Sequence, residues 1–163
     1  MSLEYQFVSF YLGDNLFGLN IIHVREVIQN FEITPVEGTS SLIKGVLNLR
    51  GQIVTVLSPA IKLFSEEKVD NPEKVCIVLK TTSELKRSVK DGSGFMEDDT
   101  SSDWLGLIVD KMADVITVKE EDIASPPANL SSIESRFLTG VVNMDNDLLI
   151  LLKISEIVSF DKK

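Results

Sequence analysis

The feature that most constrains this chain is a repeat within it. Gly45-Val46-Leu47-Asn48-Leu49-Arg50-Gly51-Gln52-Ile53-Val54-Thr55-Val56-Leu57 returns without a gap as Gly140-Val141-Val142-Asn143-Met144-Asp145-Asn146-Asp147-Leu148-Leu149-Ile150-Leu151-Leu152. Each copy reads glycine, valine, aliphatic, asparagine, apolar residue, turn formers, then an aliphatic run. Apolar runs around a polar centre describe a β-hairpin. In the first copy the turn calls for Gly51, since a residue without Cβ takes positive φ cheaply. A second block repeats in the same order: Phe17-Gly18-Leu19 followed by Glu26-Val27-Ile28 corresponds to Leu105-Gly106-Leu107 followed by Asp114-Val115-Ile116. The two hairpin glycines stand farther apart than Gly18 and Gly106, and the surplus falls in the connection between blocks, where insertions are tolerated.

Around these blocks the pattern is mostly that of short strands. Tyr5–Leu12 alternates and carries aromatics, and Gly13-Asp14-Asn15 turns it into a second strand, Leu16–Leu19. Asn20 reads as the N-cap of a short helix on which Ile21, Val24 and Ile28 share a face, with His23, Arg25 and Glu26 toward solvent. Ile33-Thr34-Pro35-Val36 is extended, because a residue before proline avoids the helical region. Pro59 opens a brief helix ending near Phe64, 65–74 is a connector, and Val75–Lys80 is an apolar run expected as a strand buried on both sides. Thr81–Asp103, with serines, glycines and the acidic Glu97-Asp98-Asp99, reads as a long mobile loop. Strands follow at Trp104–Val109 and Ala113–Val118, Pro126-Pro127 marks a loop, and Ile154–Phe160 is a closing helical turn. Short strands with glycine turns, given twice, suggest two small barrels. Each is small for an independent core, so they are expected to pack on one another.

Signs of catalysis are sparse. A net charge of −9 over 163 residues repels nucleic-acid phosphates and anionic lipid. One cysteine, Cys76, allows no internal disulfide, and its apolar strand predicts a packed thiol with a raised pKa. His23 is the single histidine, expected on the surface, and one histidine with one cysteine cannot build a usual zinc site. Gly92-Ser93-Gly94 lacks the helix that follows a phosphate loop, and Asp145-Asn146-Asp147 lacks the glycine and distant glutamate of a calcium loop. No apolar run approaches the roughly 20 residues of a membrane span, and no secretion signal opens the chain, so a cytoplasmic location is expected. Function is therefore expected at the surface. A groove between the two packed barrels, lined by the hairpin ends and the short helix near Val24, could take a partner helix, and exposed sheet edges could pair with a related barrel. Patterning alone equally allows Val24 and Val27 as core residues and Arg50 as a solvated turn residue.

Phe10-Tyr11-Leu12-Gly13-Asp14, Phe17-Gly18, Val24-x-Glu26-Val27-Ile28, Leu107-Ile108-Val109-Asp110, Leu138-Thr139-Gly140 and Leu149-Ile150-Leu151 resemble the CheW family of bacterial chemotaxis adaptors. The most specific segment is Ile43-Lys44-Gly45-Val46-x-Asn48-Leu49-Arg50-Gly51-x-Ile53-Val54, and the likeness runs from about Tyr5 to Ser159. It implies a mainly β fold: two pseudo-symmetric, intertwined five-stranded SH3-like β-barrels with a few short helices. The first would span about 14–66 and the second about 67–163, with strand 5–12 contributed from the N-terminus and 81–103 a flexible insertion loop. It also implies a non-catalytic adaptor without a cofactor. Such a protein couples the cytoplasmic tip of a chemoreceptor (a methyl-accepting chemotaxis protein) to the regulatory domain of the histidine kinase CheA. Other CheW copies are further partners; nucleic acid and direct membrane insertion are not implied.

By the same resemblance, receptor or array contacts fall to Val24, Glu26, Val27, Gly45, Asn48 and Arg50, and kinase contacts to Val109, Asp110 and Met112. Val24 would supply an apolar contact, Gly45 a close backbone approach, and Glu26 and Arg50 charged contacts with the receptor or with each other. Three departures stand out: Thr55 where the family usually has proline, Ser58 where it usually has aspartate, and the length of Thr81–Asp103. The alternatives are a CheW-like regulatory domain of a CheA- or CheV-type protein and a small-ligand-binding β-barrel module.

Overall fold

The apolar alternation resolves into strands throughout. A computed structural model describes residues 3–38, 41–65, 74–88, 100–128, 130 and 133–159. The chain runs β1 (Glu4–Leu12), β2 (Asn15–Asn20), a 3-10 turn (Ile21–His23), β3 (Val24–Ile28), β4 (Ile43–Leu49), β5 (Gln52–Leu57), α1 (Pro59–Phe64), β6 (Val75–Leu79) and α2 (Thr82–Ser88). It continues through β7 (Leu105–Val109), β8 (Lys111–Lys119), β9 (Leu138–Asn143), β10 (Leu148–Leu152) and α3 (Ile154–Ile157).

Two five-stranded sheets form, in the orders β8-β1-β2-β10-β9 and β3-β6-β7-β5-β4. The orders correspond strand for strand when β1 and β2 are matched to β6 and β7, and β3, β4 and β5 to β8, β9 and β10. The registers agree too. Gly18 lies opposite Leu151 across the parallel β2–β10 pair, and Gly106 opposite Val56 across β5–β7. Asn48 pairs with Ile53, and Asn143 with Leu148.

Each sheet therefore takes two leading strands from one repeat and three trailing strands from the other. This corrects the expected division near 66/67: β2 belongs with β1, while β6 and β7 join β3, β4 and β5. A cut along the sequence cannot represent this exchange, because the pairings that join the halves, antiparallel β1–β8 and β3–β6 and parallel β2–β10 and β5–β7, connect distant segments.

Alternation on the central strands gives each sheet two apolar faces. One face of each contributes to a shared cluster that includes Phe10, Phe17, Leu19, Leu57, Ile77, Leu107 and Ile150. The opposite faces form two smaller clusters, one with Phe7, Leu149 and Leu151, the other with Val54, Val56, Cys76 and Val78. Cys76 is fully buried, and desolvation pushes its thiol up to about 12.

Several local expectations need correction. Val24–Ile28 is an edge strand rather than part of a helix; β-branched residues gain more from the β6 ladder than from a helical turn. Asn20 does cap, its Oδ1 accepting from Ile22 N at 3.1 Å, but only a single 3-10 turn follows. His23 is buried, at 3% exposure, not on the surface. Thr81–Asp103 is not loop throughout, since α2 occupies Thr82–Ser88. Thr81-x-x-Glu84 forms a capping box there, with Thr81 N donating to Glu84 Oε1 at 2.9 Å. Residues 89–99 lie outside the described ones. At α1, Ser58 supplies the N-cap, accepting from Ile61 N at 3.2 Å, a task serine and aspartate perform about equally well.

The matched glycines are packing sites. A Cβ on Gly106 would lie 2.6 Å from Cys76 Sγ, whereas one on Gly18 would meet the ends of Leu151 and Leu149 at 3.1 and 3.2 Å. Gly106→Ala is expected to cost about 1–3 kcal/mol in denaturant unfolding. Gly18→Ala should cost less, and Cys76→Ala should recover part of the Gly106→Ala loss. Equal costs for the two alanines, with no recovery, would contradict this account.

Candidate protein-interaction site

Leu49 pairs with Gln52, so the β4–β5 turn consists of Arg50 and Gly51. Both have positive φ, 51° and 90°, the arrangement of a type I′ turn. Gly51 takes it freely, whereas Arg50 bears a cost of about 1 kcal/mol. Asn48 supports the turn by accepting from Gly51 N through Oδ1 at 2.8 Å. The turn thus projects the Arg50 side chain outward, at 69% exposure.

The guanidinium reaches Glu26 on β3, forming an ion pair that raises the Arg50 pKa, first through the hydrogen bond and then through charge. β3 is an edge of its sheet. Val24 pairs with Leu79 and Glu26 with Val78, so Arg25 is the extra residue of a bulge. Val24 packs partly against the shared core, and Val27 is exposed. Where β3 ends and β4 approaches its turn lies a groove of about 440 Å³, lined by residues that include Ile28, Asn30, Phe31, Thr34 and Leu47–Leu49. The groove lies between β3 and β4, the two edge strands of one sheet. The space expected as a seam between barrels holds the shared core instead.

Arg25 turns the other way. It pairs with Glu84 on α2, and its guanidinium lies 3.8 Å from the centre of the Trp104 ring. Burial alone would raise the Glu84 pKa. Hydrogen bonds from Arg25 and Thr81, with the Arg25 charge, overcome that and hold it below its ordinary value. Trp104 is fixed in turn by its carbonyl, which accepts from Thr55 N at 3.0 Å. A proline at 55 would have no such donor.

A mainly β fold with this doubled frame has known counterparts. The profile of the CheW-like domain family matches residues 6–162. The chain belongs to the CheW-like family. The crystal structure of the scaffolding protein TtCheW from Thermoanaerobacter tengcongensis is similar at a TM-score of 0.77 and 25% identity, over 99% of this chain and 92% of that one. The chemotaxis protein CheW of Treponema pallidum is 27% identical over 96% of this chain and 83% of its own length. The corresponding protein of Klebsiella aerogenes is 26% identical, again over 96% and 83%.

Within the CheW-like frame, the expected receptor-side residues fall into two groups. Glu26, Asn48 and Arg50 come together around the hairpin turn and the β3 edge, while Val27 is exposed and Val24 half-buried on the same strand. Gly45 does not reach the surface. It is buried at φ 146°, where a Cβ would lie 2.3 Å from Thr34 O, so its close approach is to its own chain. Its repeat partner Gly140 does the same against Ala124 O, at 2.9 Å.

Of the expected kinase-side residues one is internal and two are partly exposed. Val109 is a core residue at 1% exposure. Asp110 Oδ2 accepts from Gly13 N at 2.7 Å, tying the β1–β2 turn to the end of β7. Met112 is half-buried against the shared core. Sequence reading missed Arg25, Glu84 and Trp104 as a group; the Thr81-x-x-Glu84 spacing was the available signal. Among the described residues there is no cluster of three or more metal-ligating side chains, and no helix is long and apolar enough to cross a membrane.

Two outcomes follow from this geometry. Gly45→Ala should lower the unfolding midpoint by an amount equivalent to about 2 kcal/mol or more, from backbone strain and the Thr34 clash. A fully stable Gly45→Ala protein would refute that placement. Glu84, with its folded pKa depressed, contributes stability that is complete above the unfolded value of about 4.3 and is lost as pH falls through the lower folded value. The emission of Trp104, the single tryptophan, should change in that acid window and lose the transition in Glu84→Gln.

Proposed function

We propose that this chain, a chemotaxis adaptor of the CheW type, couples the cytoplasmic tip of a chemoreceptor to the regulatory domain of the kinase CheA, and does so without catalysis in the cytoplasm. The observation that carries the receptor half of this reading is the Arg50–Glu26 pair beside the groove. The turn accepts an unfavourable backbone conformation at Arg50 and displays a long cation on a short, fixed base. A non-glycine residue in the left-handed region is worth explaining by function, since such strain persists where it is used.

A helical hairpin from a receptor could set an apolar side chain against Val24 and Val27 and exchange charged contacts with Glu26 and Arg50. Because the Arg50 guanidinium is mostly exposed, opening the internal pair costs little. Binding can therefore trade it for a contact with a partner. The absence of chemistry in this reading accords with a thiol held protonated in the core and a histidine enclosed by the fold.

Coupling by such a protein needs no tight single contact. Linking receptor and kinase raises the local concentration of each for the other, and receptor states that hold the kinase differently carry signal as a coupling free energy. The test is a pull-down and titration with a receptor signalling-tip hairpin peptide and, separately, the CheA regulatory domain. Arg50→Glu should weaken receptor binding about ten-fold, equivalent to about 1.4 kcal/mol, with little change in unfolding midpoint and little change in kinase-domain binding. Receptor binding undiminished in both Arg50→Glu and Glu26→Arg would remove the receptor assignment. Binding to neither partner by the unmodified chain would remove the adaptor reading.

A further inference from the structure

The repeat supplies its own comparison for Arg25. Both β3 and β8 carry a bulge at the matching place: Val24 and Glu26 flank the first, and Met112 with Val115 bound the second, opposite Phe10 and Val8. The residue of β8 that corresponds to Arg25 is Ala113. A long cationic side chain is therefore not required to make the bulge. What Arg25 adds is a set of connections. It binds Glu84 in the first turn of α2 and stacks on Trp104 immediately before β7. Thr82 N donates to Ser101 O at 2.9 Å and Thr100 Oγ1 to Lys80 O at 2.6 Å, so the two ends of the 81–103 stretch are also joined to each other.

We infer that Arg25 is a positioning residue for partner binding: it fastens both ends of the 81–103 stretch to the bulge of β3, and thereby sets the aim of its neighbour Glu26 toward Arg50. The inference rests on the receptor-side reading above. The physical basis is that a bulge re-aims the side chains beside it, and a planar guanidinium held between a carboxylate and an indole has little freedom left. Arg25 is also only partly exposed, as is Glu84, so the clamp is less screened than the Arg50 pair. Glu26 follows Arg25 directly, so the restraint is passed through one peptide unit. Changing the clamp should then alter partner binding through Glu26.

The experiment uses the full chain with Arg25→Ala, Arg25→Lys, Glu84→Gln, Glu26→Ala and the Arg25→Ala/Glu26→Ala pair. Binding to the receptor-tip hairpin peptide is read by titration, backbone hydrogen exchange at 24–28 by NMR, and the clamp by Trp104 emission. Arg25→Ala is expected to weaken binding by about three- to ten-fold and to speed exchange at Glu26–Ile28. The double variant should bind no worse than Glu26→Ala alone, which marks coupling. Arg25→Lys keeps the charge for Glu84 without the planar stack and should restore only part of the affinity. Should Arg25→Ala fail to fold, Glu84→Gln and Arg25→Lys carry the same comparison with Glu26→Ala. Additive losses in the double variant, or wild-type binding by Arg25→Ala, would overturn the inference. If the unmodified chain binds no receptor peptide, the functional reading fails by itself. The positioning claim is then decided by exchange alone: faster exchange at Glu26–Ile28 supports it and unchanged exchange sinks it.

Discussion

Four strand pairings hold the two halves of this protein together: parallel β2–β10 and β5–β7, and antiparallel β1–β8 and β3–β6. Each joins one half of the duplicated chain to the other, so neither half closes a sheet alone. The matched glycines mark where the fit is tightest. Gly106 lies against Cys76, Val54 and the Ile77 carbonyl, and Gly18 against Leu151, Leu149 and Phe7. With both sheets built by exchange, their inner faces meet in one shared core, which buries more apolar surface than two separate small barrels could. The thiol of Cys76 is buried in the smaller cluster on the opposite face of its sheet, and His23 is buried just before β3.

A doubled frame need not carry doubled surfaces. The hairpin turn of the first repeat presents Arg50, and the matching turn of the second presents Asp145 and Asp147. The edge strands carry exposed Val27 and Val115 at corresponding places, yet Arg25 on one stands where Ala113 is on the other. The backbone hydrogen bonds and core positions impose the symmetry; solvent-facing side chains are free to differ. The two turns thus present unlike charge on one fold, and electrostatic complementarity selects partners more than it sets affinity.

Three features converge beside β3. Thr55 donates a backbone bond that proline could not, Trp104 receives it, and Arg25 stacks on that indole while pairing with Glu84. Ser58, by contrast, departs from the family only in name, since its hydroxyl caps α1 as a carboxylate would. A difference from a family pattern is thus informative when it changes which groups can bond, and uninformative when a different atom does the same work.

The strands, the two hairpins, the Gly51 turn and the buried character of Cys76 were legible in the sequence because alternation, turn chemistry and composition act locally. The capping box that starts α2 was legible too, but the polar stretch around it obscured it. Val24–Ile28 misled, since its apolar spacing fits a helical face and only the β6 ladder decides for a strand. Of the site, Arg50 and Glu26 could be singled out by resemblance. That Gly45 answers to Thr34, that Val109 is core and that Arg25 meets Trp104 could not, because these contacts join residues distant along the chain. By itself the sequence determined the elements and their repetition. The tertiary structure alone decided which half each strand pairs with, and therefore which side chains are left facing outward, because strand partners are chosen by non-local hydrogen bonds and shared burial rather than by neighbouring residues.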